Sequence, residues 1–117
     1  MPSLTRIDPG PRMSGAVLAG NFVFLSGQVA LDAAGETVTA QTRNILARID
    51  DLLAKSGTDK SRLVSASVWL ANIATFEEFN AVWDAWVDPE NSPARATVEA
   101  RLAASKFTVE IAVVAFS

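Results

Sequence analysis

Ser92-Pro93-Ala94-Arg95-Ala96-Thr97-Val98-Glu99, followed by Val109-Glu110-Ile111, is the stretch from which both fold and chemistry can be read. From Ala94 to Leu102, polar Arg95, Thr97, Glu99 and Arg101 alternate with small or apolar Ala96, Val98 and Ala100, the period of a strand with two unlike faces. Thr108 to Phe116 is rich in residues that suit strands. With Ala103 to Lys106 as the turn, the two runs form an antiparallel pair in which Arg95 and Glu110 stand level on one face. A guanidinium fixed beside a carboxylate can receive a small anionic substrate. It can equally be a cross-strand ion pair that only stabilises the sheet, and the spacing leaves both readings open.

Working outward, the chain predicts a short first strand around Leu4 to Ile7, then an irregular entry at Pro9-Gly10-Pro11. Ser14 to Ala19 and Phe22 to Leu25 read as a hairpin turning at Gly20-Asn21, and the unbroken apolar run Phe22 to Leu25 predicts a strand buried on both faces. Ile45, Leu46, Ile49, Leu52 and Leu53 recur at helical spacing within a helix from Val38 to Ser56, with Gly57 placed as its C-terminal cap. Leu63 to Leu70 alternates as a strand. A second helix begins at Thr75, where Thr75 and Glu78 match a capping box; Phe76, Phe79, Val82, Trp83 and Trp86 form its apolar face, and Pro89 closes it. That aromatic cluster reads as core. The pattern is α+β: a mixed sheet with two helices on one face. The uncovered face is apolar in a chain that is 50% hydrophobic, which predicts burial between subunits of a homo-oligomer.

Composition removes whole classes of chemistry. The 117 residues contain no Cys, His or Tyr. Thiolate nucleophiles, Cys/His zinc sites and imidazole acid-base catalysis are therefore excluded, leaving Asp/Glu, Ser/Thr, Arg/Lys and backbone groups to act. No spaced run of acids suggests a calcium loop, so no metal is expected. The net charge of −3 is spread along the chain and no basic stripe occurs, so nucleic acid is not an expected partner; no run approaches the roughly 20 apolar residues that span a bilayer, so no membrane is expected either. No signal-peptide pattern is seen, and the expectation is a cytoplasmic protein of one domain, residues 1–117. Asp50-Asp51 and Glu77-Glu78 read as solvated helix acids, and Ser14 lacks a base that could make it a nucleophile.

Ser26-Gly27-Gln28 closing a strand, Gln41-Thr42 opening the long helix, Pro93-Ala94-Arg95 and Val109-Glu110-Ile111 together resemble the RidA/YjgF family, in order and over nearly the whole chain. Pro11-Arg12-Met13-Ser14 and Pro93 to Ala100 are most similar to a divergent, YoaB-like branch. The resemblance implies a chorismate-mutase-like fold and a homotrimer with clefts between adjacent subunits. It implies cofactor-free hydrolysis of 2-imino acids, or their enamine tautomers, to 2-oxo acids and ammonia; such intermediates are released by pyridoxal-phosphate enzymes such as threonine dehydratase. By position, Arg95 would clamp the substrate carboxylate, a task suited to a planar fork of donors. Glu110 would orient and activate the water. Ser26 and Gly27 would contact substrate, the backbone carbonyl of Thr97 would hold the water, and Asn80 would lie near the cleft.

Three positions depart from the family pattern. Arg12 stands nearest an early tyrosine, Thr97 replaces a cysteine, and Ser92 replaces an aromatic residue. If Arg12 reaches the cleft beside Arg95, a ligand with two anionic groups is favoured; the alternative is a solvated surface arginine. Two other functions compete with imine hydrolysis. One is a non-catalytic binder or regulator that takes a carboxylate metabolite in the same cleft. The other is the RNA cleavage or translation inhibition often attached to this family, which the missing histidines and negative charge oppose.

Overall fold

Thr37 begins the longest helix, α1 (Val38–Lys55), by accepting a hydrogen bond from the backbone N–H of Ala40 at 3.1 Å. At the other end Gly57, at φ 80°, lets Gly57 N–H reach Ala54 O and Thr58 N–H reach Leu53 O, the paired bonds of a Schellman cap. The computed structural model describes residues 3–117 and orders them as β1 (Leu4–Pro9), β2 (Ser14–Ala19), β3 (Phe22–Leu25), β4 (Gln28–Val29), α1, β5 (Leu63–Leu70), α2 (Phe76–Trp86), β6 (Ala94–Glu99) and β7 (Val109–Phe116). The hairpin of β2 and β3 turns at Gly20-Asn21, where φ 60° at Gly20 suits a residue without Cβ. The α+β class is as the sequence predicts.

One sheet runs in the order β1-β2-β3-β7-β5-β6, with β4 continuing the β3 side of β7. The spacing of Ala94 to Phe116 predicts a hairpin, and this is overturned: β5 lies between β6 and β7. It pairs parallel with β6 and antiparallel with β7. The unit β5-α2-β6 is a strand-helix-strand crossover, the connection that a parallel pair requires. Both helices pack on one face, where Ile45, Ile49, Leu53 and Phe79 meet Val23, Val68, Leu70, Ile111 and Val113 in the core. Burying each such large side chain contributes roughly 1.5–3 kcal/mol. The shortest dimension, 21 Å, is that of one helix layer on one sheet.

The opposite face is bare. Phe22 and Phe24 are 44% and 46% exposed, Phe116 40% and Val98 50%, so β3 is covered on one side only within the chain, contrary to the expectation of burial on both. Capping of α2 also differs from expectation. Thr75 makes no side-chain cap bond, and Asn72 caps the preceding short turn through Ala74 N–H. Glu78 Oε2 instead reaches across to α1, accepting from Thr39 N–H at 3.0 Å and Thr39 Oγ1 at 2.9 Å. An acid at the start of α1 is favourable for that helix's dipole, so Glu78 couples the two helices rather than closing its own turn.

Gln41 fixes the approach to β7. It is fully buried; its Nε2 donates to Glu36 O and Lys106 O, each at 3.0 Å, and its Oε1 accepts from Thr108 N–H at 2.9 Å. One amide thereby satisfies the loop before α1 and the segment entering β7, placing Glu110 two residues further on.

Candidate active site

Arg95 lies on the outer strand β6, on the helix-covered face. Its register partner on β5 is Ala66, a core residue, and residues opposed in adjacent strands share a face. The guanidinium is stacked among three rings of α2, with its central carbon 5.8 Å from Phe76, 5.5 Å from Phe79 and 5.3 Å from Trp83. Its Nη2 donates to Asn80 Oδ1 at 2.9 Å. Among the described residues it has no ion-pair partner. Burial lowers its pKa from the ordinary arginine value, a shift that the field of Asp84 opposes, and the group stays cationic at neutral pH. The result is a preorganised cation held by neutral groups, with donors left over for an anion. Thr97 follows on the same face, and its buried hydroxyl has no hydrogen-bond partner.

Glu110 is on the other side of the sheet. On β7 it pairs with Trp69 of β5, three residues from Ala66 and so on the opposite face. The strand pair expected to hold Arg95 and Glu110 side by side is therefore absent, and a cross-strand ion pair between them is excluded within one chain. Gly27 sits against Glu110. A Cβ built at Gly27 would overlap Glu110 Oε2 and lie 3.1 Å from Glu110 Cδ. Ser26 and Gly27 form the bend between β3 and β4, and Ser26 Oγ donates to Gly15 O at 3.2 Å.

Six of the seven residues singled out in the sequence fall into two groups. Arg95, Asn80 and Thr97 gather where β6 meets α2. Glu110, Gly27 and Ser26 gather at the β3–β4 link, and Ser26 and Gly27 also line a cavity with Met13, Ser14 and Gly15, whereas Arg12 is exposed and is brought to neither group. That cavity, about 820 Å³, is also bounded by Arg48, Asp51 and Lys55 of α1. At its rim, Lys55 bonds to Asp51 at 3.1 Å and Asp8 at 3.2 Å, and these acids, Asp51 first, hold the ammonium pKa above its usual value.

Sequence reasoning assigned Phe76, Phe79 and Trp83 to the core alone; they are also the seat of Arg95. The available signal was their i, i+3 and i+7 spacing around Asn80, which puts one polar group in the middle of an aromatic helix face. Among the described residues no group of acids is placed to hold a metal ion, and no helix is long and apolar enough to cross a membrane.

Residues 4–117 match the family model described as Endoribonuclease L-PSP. A RutC family protein of Haemophilus ducreyi is 45% identical over 112 residues, covering 96% of this chain and 95% of that protein. The RutC family protein YoaB of Escherichia coli is 40% identical over 114 residues, 97% of each chain. The chloroplastic Reactive Intermediate Deaminase A of Arabidopsis thaliana is 33% identical over 107 residues, 87% of this chain and 57% of that protein. The crystal structure of a YjgF family member from Neisseria meningitidis superposes with a TM-score of 0.95 at 43% identity, covering 98% of this chain and 95% of that one. With its fold, its motifs and these relatives in agreement, the chain belongs to the RidA/YjgF family.

Proposed function

We propose that this protein hydrolyses 2-imino acids to 2-oxo acids and ammonia in a cleft between two copies of the chain, within a homotrimer. The observation that carries the reading is the division of the site: a cation without an acid partner on one face, and the candidate general base on the other. A small substrate can touch both groups only if a second copy brings its β6–α2 edge to the first copy's β3–β4 bend. The bare face with Phe22, Phe24, Phe116 and Val98 supplies apolar area for that association. Kinship with a protein named as a reactive intermediate deaminase supports the reaction class.

In this reading Arg95 holds the substrate carboxylate through paired donors. Glu110 accepts a proton from water as the water oxygen bonds to the imine carbon, and passes that proton to the nitrogen. The resulting carbinolamine collapses with cleavage of the carbon–nitrogen bond, leaving the 2-oxo acid and ammonia. A protonated imine is already electrophilic, so positioning and charge suffice without imidazole or thiolate. The test generates 2-imino acids with an amino-acid oxidase and traps them with semicarbazide. The protein is expected to lower semicarbazone yield, and Arg95→Ala or Glu110→Ala to abolish the effect while folded. Carboxylate binding without any loss of semicarbazone would contradict the enzyme and indicate a binding protein.

A further inference from the structure

Asp50 reads in the sequence as one of two solvated helix acids, yet a line of contacts joins it to the seat of Arg95. It is exposed on α1, and its Oδ2 accepts the indole N–H of Trp86 at 3.0 Å. Trp86 is the last residue of α2, and Lys60 lies over its ring with Nζ 5.3 Å from the centroid. The Trp86 ring packs on Trp83 with centroids 5.4 Å apart at a tilt of 51°. Trp83 is stacked in turn on Phe79 at 6.0 Å, and its ring centre lies 5.3 Å from the central carbon of the Arg95 guanidinium. Trp83 is buried, so it cannot turn without moving the groups packed on it. Trp86 is only half-buried, at a helix end where no further turn of α2 confines it. The charge-assisted bond to Asp50 therefore selects its rotamer.

We propose that Asp50 is a positioning residue that acts through Trp86 and Trp83 to hold the plane of the Arg95 guanidinium where both its donors meet a ligand carboxylate. The inference rests on the proposed role of Arg95 as carboxylate clamp and adds the group that orients it. A bidentate pair is sensitive to rotation of the fork, because two N–H groups must meet two oxygens in one plane. Asn80 fixes one Nη2 contact at 2.9 Å, and the rings packed around the group decide how its plane lies. Without the Asp50 acceptor, Trp86 gains rotamers and Trp83 loses a fixed neighbour. The clamp then keeps its charge and loses one of its two bonds. Asp51, the other acid of the pair, bonds to Lys55 and stands outside this line of contacts.

The test titrates 2-oxobutanoate calorimetrically into the assembled wild-type protein and its variants, with urea unfolding as the check of folding. Asp50→Ala is expected to weaken binding about fivefold, the worth of one hydrogen bond of the clamp. Asp50→Asn keeps an oxygen that accepts the indole N–H, and should stay within about twofold of wild type. Trp86→Phe keeps a ring and loses the donor. It should match Asp50→Ala, and the double variant should be no weaker than either, since both changes break one contact. In an Arg95→Lys background Asp50→Ala should cost nothing further, because an ammonium has no plane to orient. A purely stabilising Asp50 would lower the urea midpoint of Asp50→Ala and leave its affinity unchanged, which overturns the role. Losses that multiply in the double variant, or an equal loss in the Arg95→Lys background, would overturn it too, and the second holds even if Trp86→Phe does not fold. Arg95→Ala separates this from the underlying reading: 2-oxobutanoate binding that is indifferent to Arg95→Ala would refute the carboxylate clamp, and the Asp50 role with it. Loss in Arg95→Ala without loss in Asp50→Ala would refute the Asp50 role by itself.

Discussion

Replacing Asn80 by aspartate puts a carboxylate where Arg95 now meets a neutral amide oxygen at 2.9 Å. The guanidinium, seated among Phe76, Phe79 and Trp83 without an acid partner, would acquire one inside its own chain. A substrate carboxylate on the far side of the fork would lie ~5 Å from the new charge, a repulsion of about 3 kcal/mol at an effective dielectric constant of ~20. Arg95 is only partly buried, so solvent and salt reduce this to roughly 1.5–2 kcal/mol, a loss of about 10–30-fold in carboxylate affinity. The same change adds an ion pair to the free protein, which should keep or raise its resistance to urea. The assay measures semicarbazone competition and urea unfolding on the same preparations, with Asn80→Ala as the uncharged control. Wild-type turnover in folded Asn80→Asp would refute the assignment of Arg95 as the carboxylate clamp. A parallel fall of activity and stability would show instead that Asn80 matters for packing.

Other perturbations test separate parts of the structure. Gly27→Ala introduces a methyl group into the space of Glu110 Oε2, the mobile end of a side chain. Activity should fall at least tenfold with a change in stability of under about 1 kcal/mol, because the carboxylate moves and the backbone does not; unchanged kcat/KM would dissociate Glu110 from the reaction. Gln41→Leu leaves Thr108 N–H and Glu36 O without their buried partner, while Lys106 O keeps Gly35 N–H. The cost should be roughly 2–4 kcal/mol in urea unfolding at fixed protein concentration, and a cost under about 1 kcal/mol would contradict the buried-amide account. On acidification, Asp59 and Asp88 should weaken the fold. Ser61, through its hydroxyl first, holds the Asp59 pKa down, and the Asn91 side chain first and Glu90 N–H second do so for Asp88. A depressed folded-state pKa contributes stability that is fully present above the unfolded-state value of 3.8 and lost as pH falls through the lower folded-state value. The double variant Asp59→Asn, Asp88→Asn should therefore show a flatter urea midpoint below pH 4 than wild type, and an identical slope would argue against these caps.

The parts of the fold legible in the sequence were those fixed by local rules. Gly57 and the spacing from Ile45 to Leu53 bound α1 to within a residue, and Gly20-Asn21 marked the hairpin, while the N-cap Thr37 went unread. The pairing of β6 with β7 was misread because nearness in sequence favours a hairpin, while the actual neighbour of both, β5, comes more than twenty residues before β6. The strand-helix-strand order of β5, α2 and β6 already carried the correct answer, since such a crossover makes a parallel pair. The same error hid the division of the site: once β5 intervenes, the register puts Arg95 and Glu110 on opposite faces. Glu78 was likewise assigned to Thr75, its neighbour in sequence, though it binds Thr39, a residue 39 positions away. Gln41 stood out only as part of a motif. Its work, anchoring the entry to β7, depends on partners that the fold alone brings near.

The most direct test of a site shared between copies is complementation. Arg95→Ala and Glu110→Ala chains, each inactive alone, are co-expressed with different tags, and assemblies carrying both are purified and assayed for loss of semicarbazone. In a homotrimer whose clefts pair Arg95 of one copy with Glu110 of the next, every mixed assembly restores both groups in one of its clefts, roughly a third of the total. The account predicts a return of deaminase activity near that fraction of wild type. Mixed assemblies as inactive as either parent would contradict it, since a site complete within one chain cannot be rescued by a neighbour.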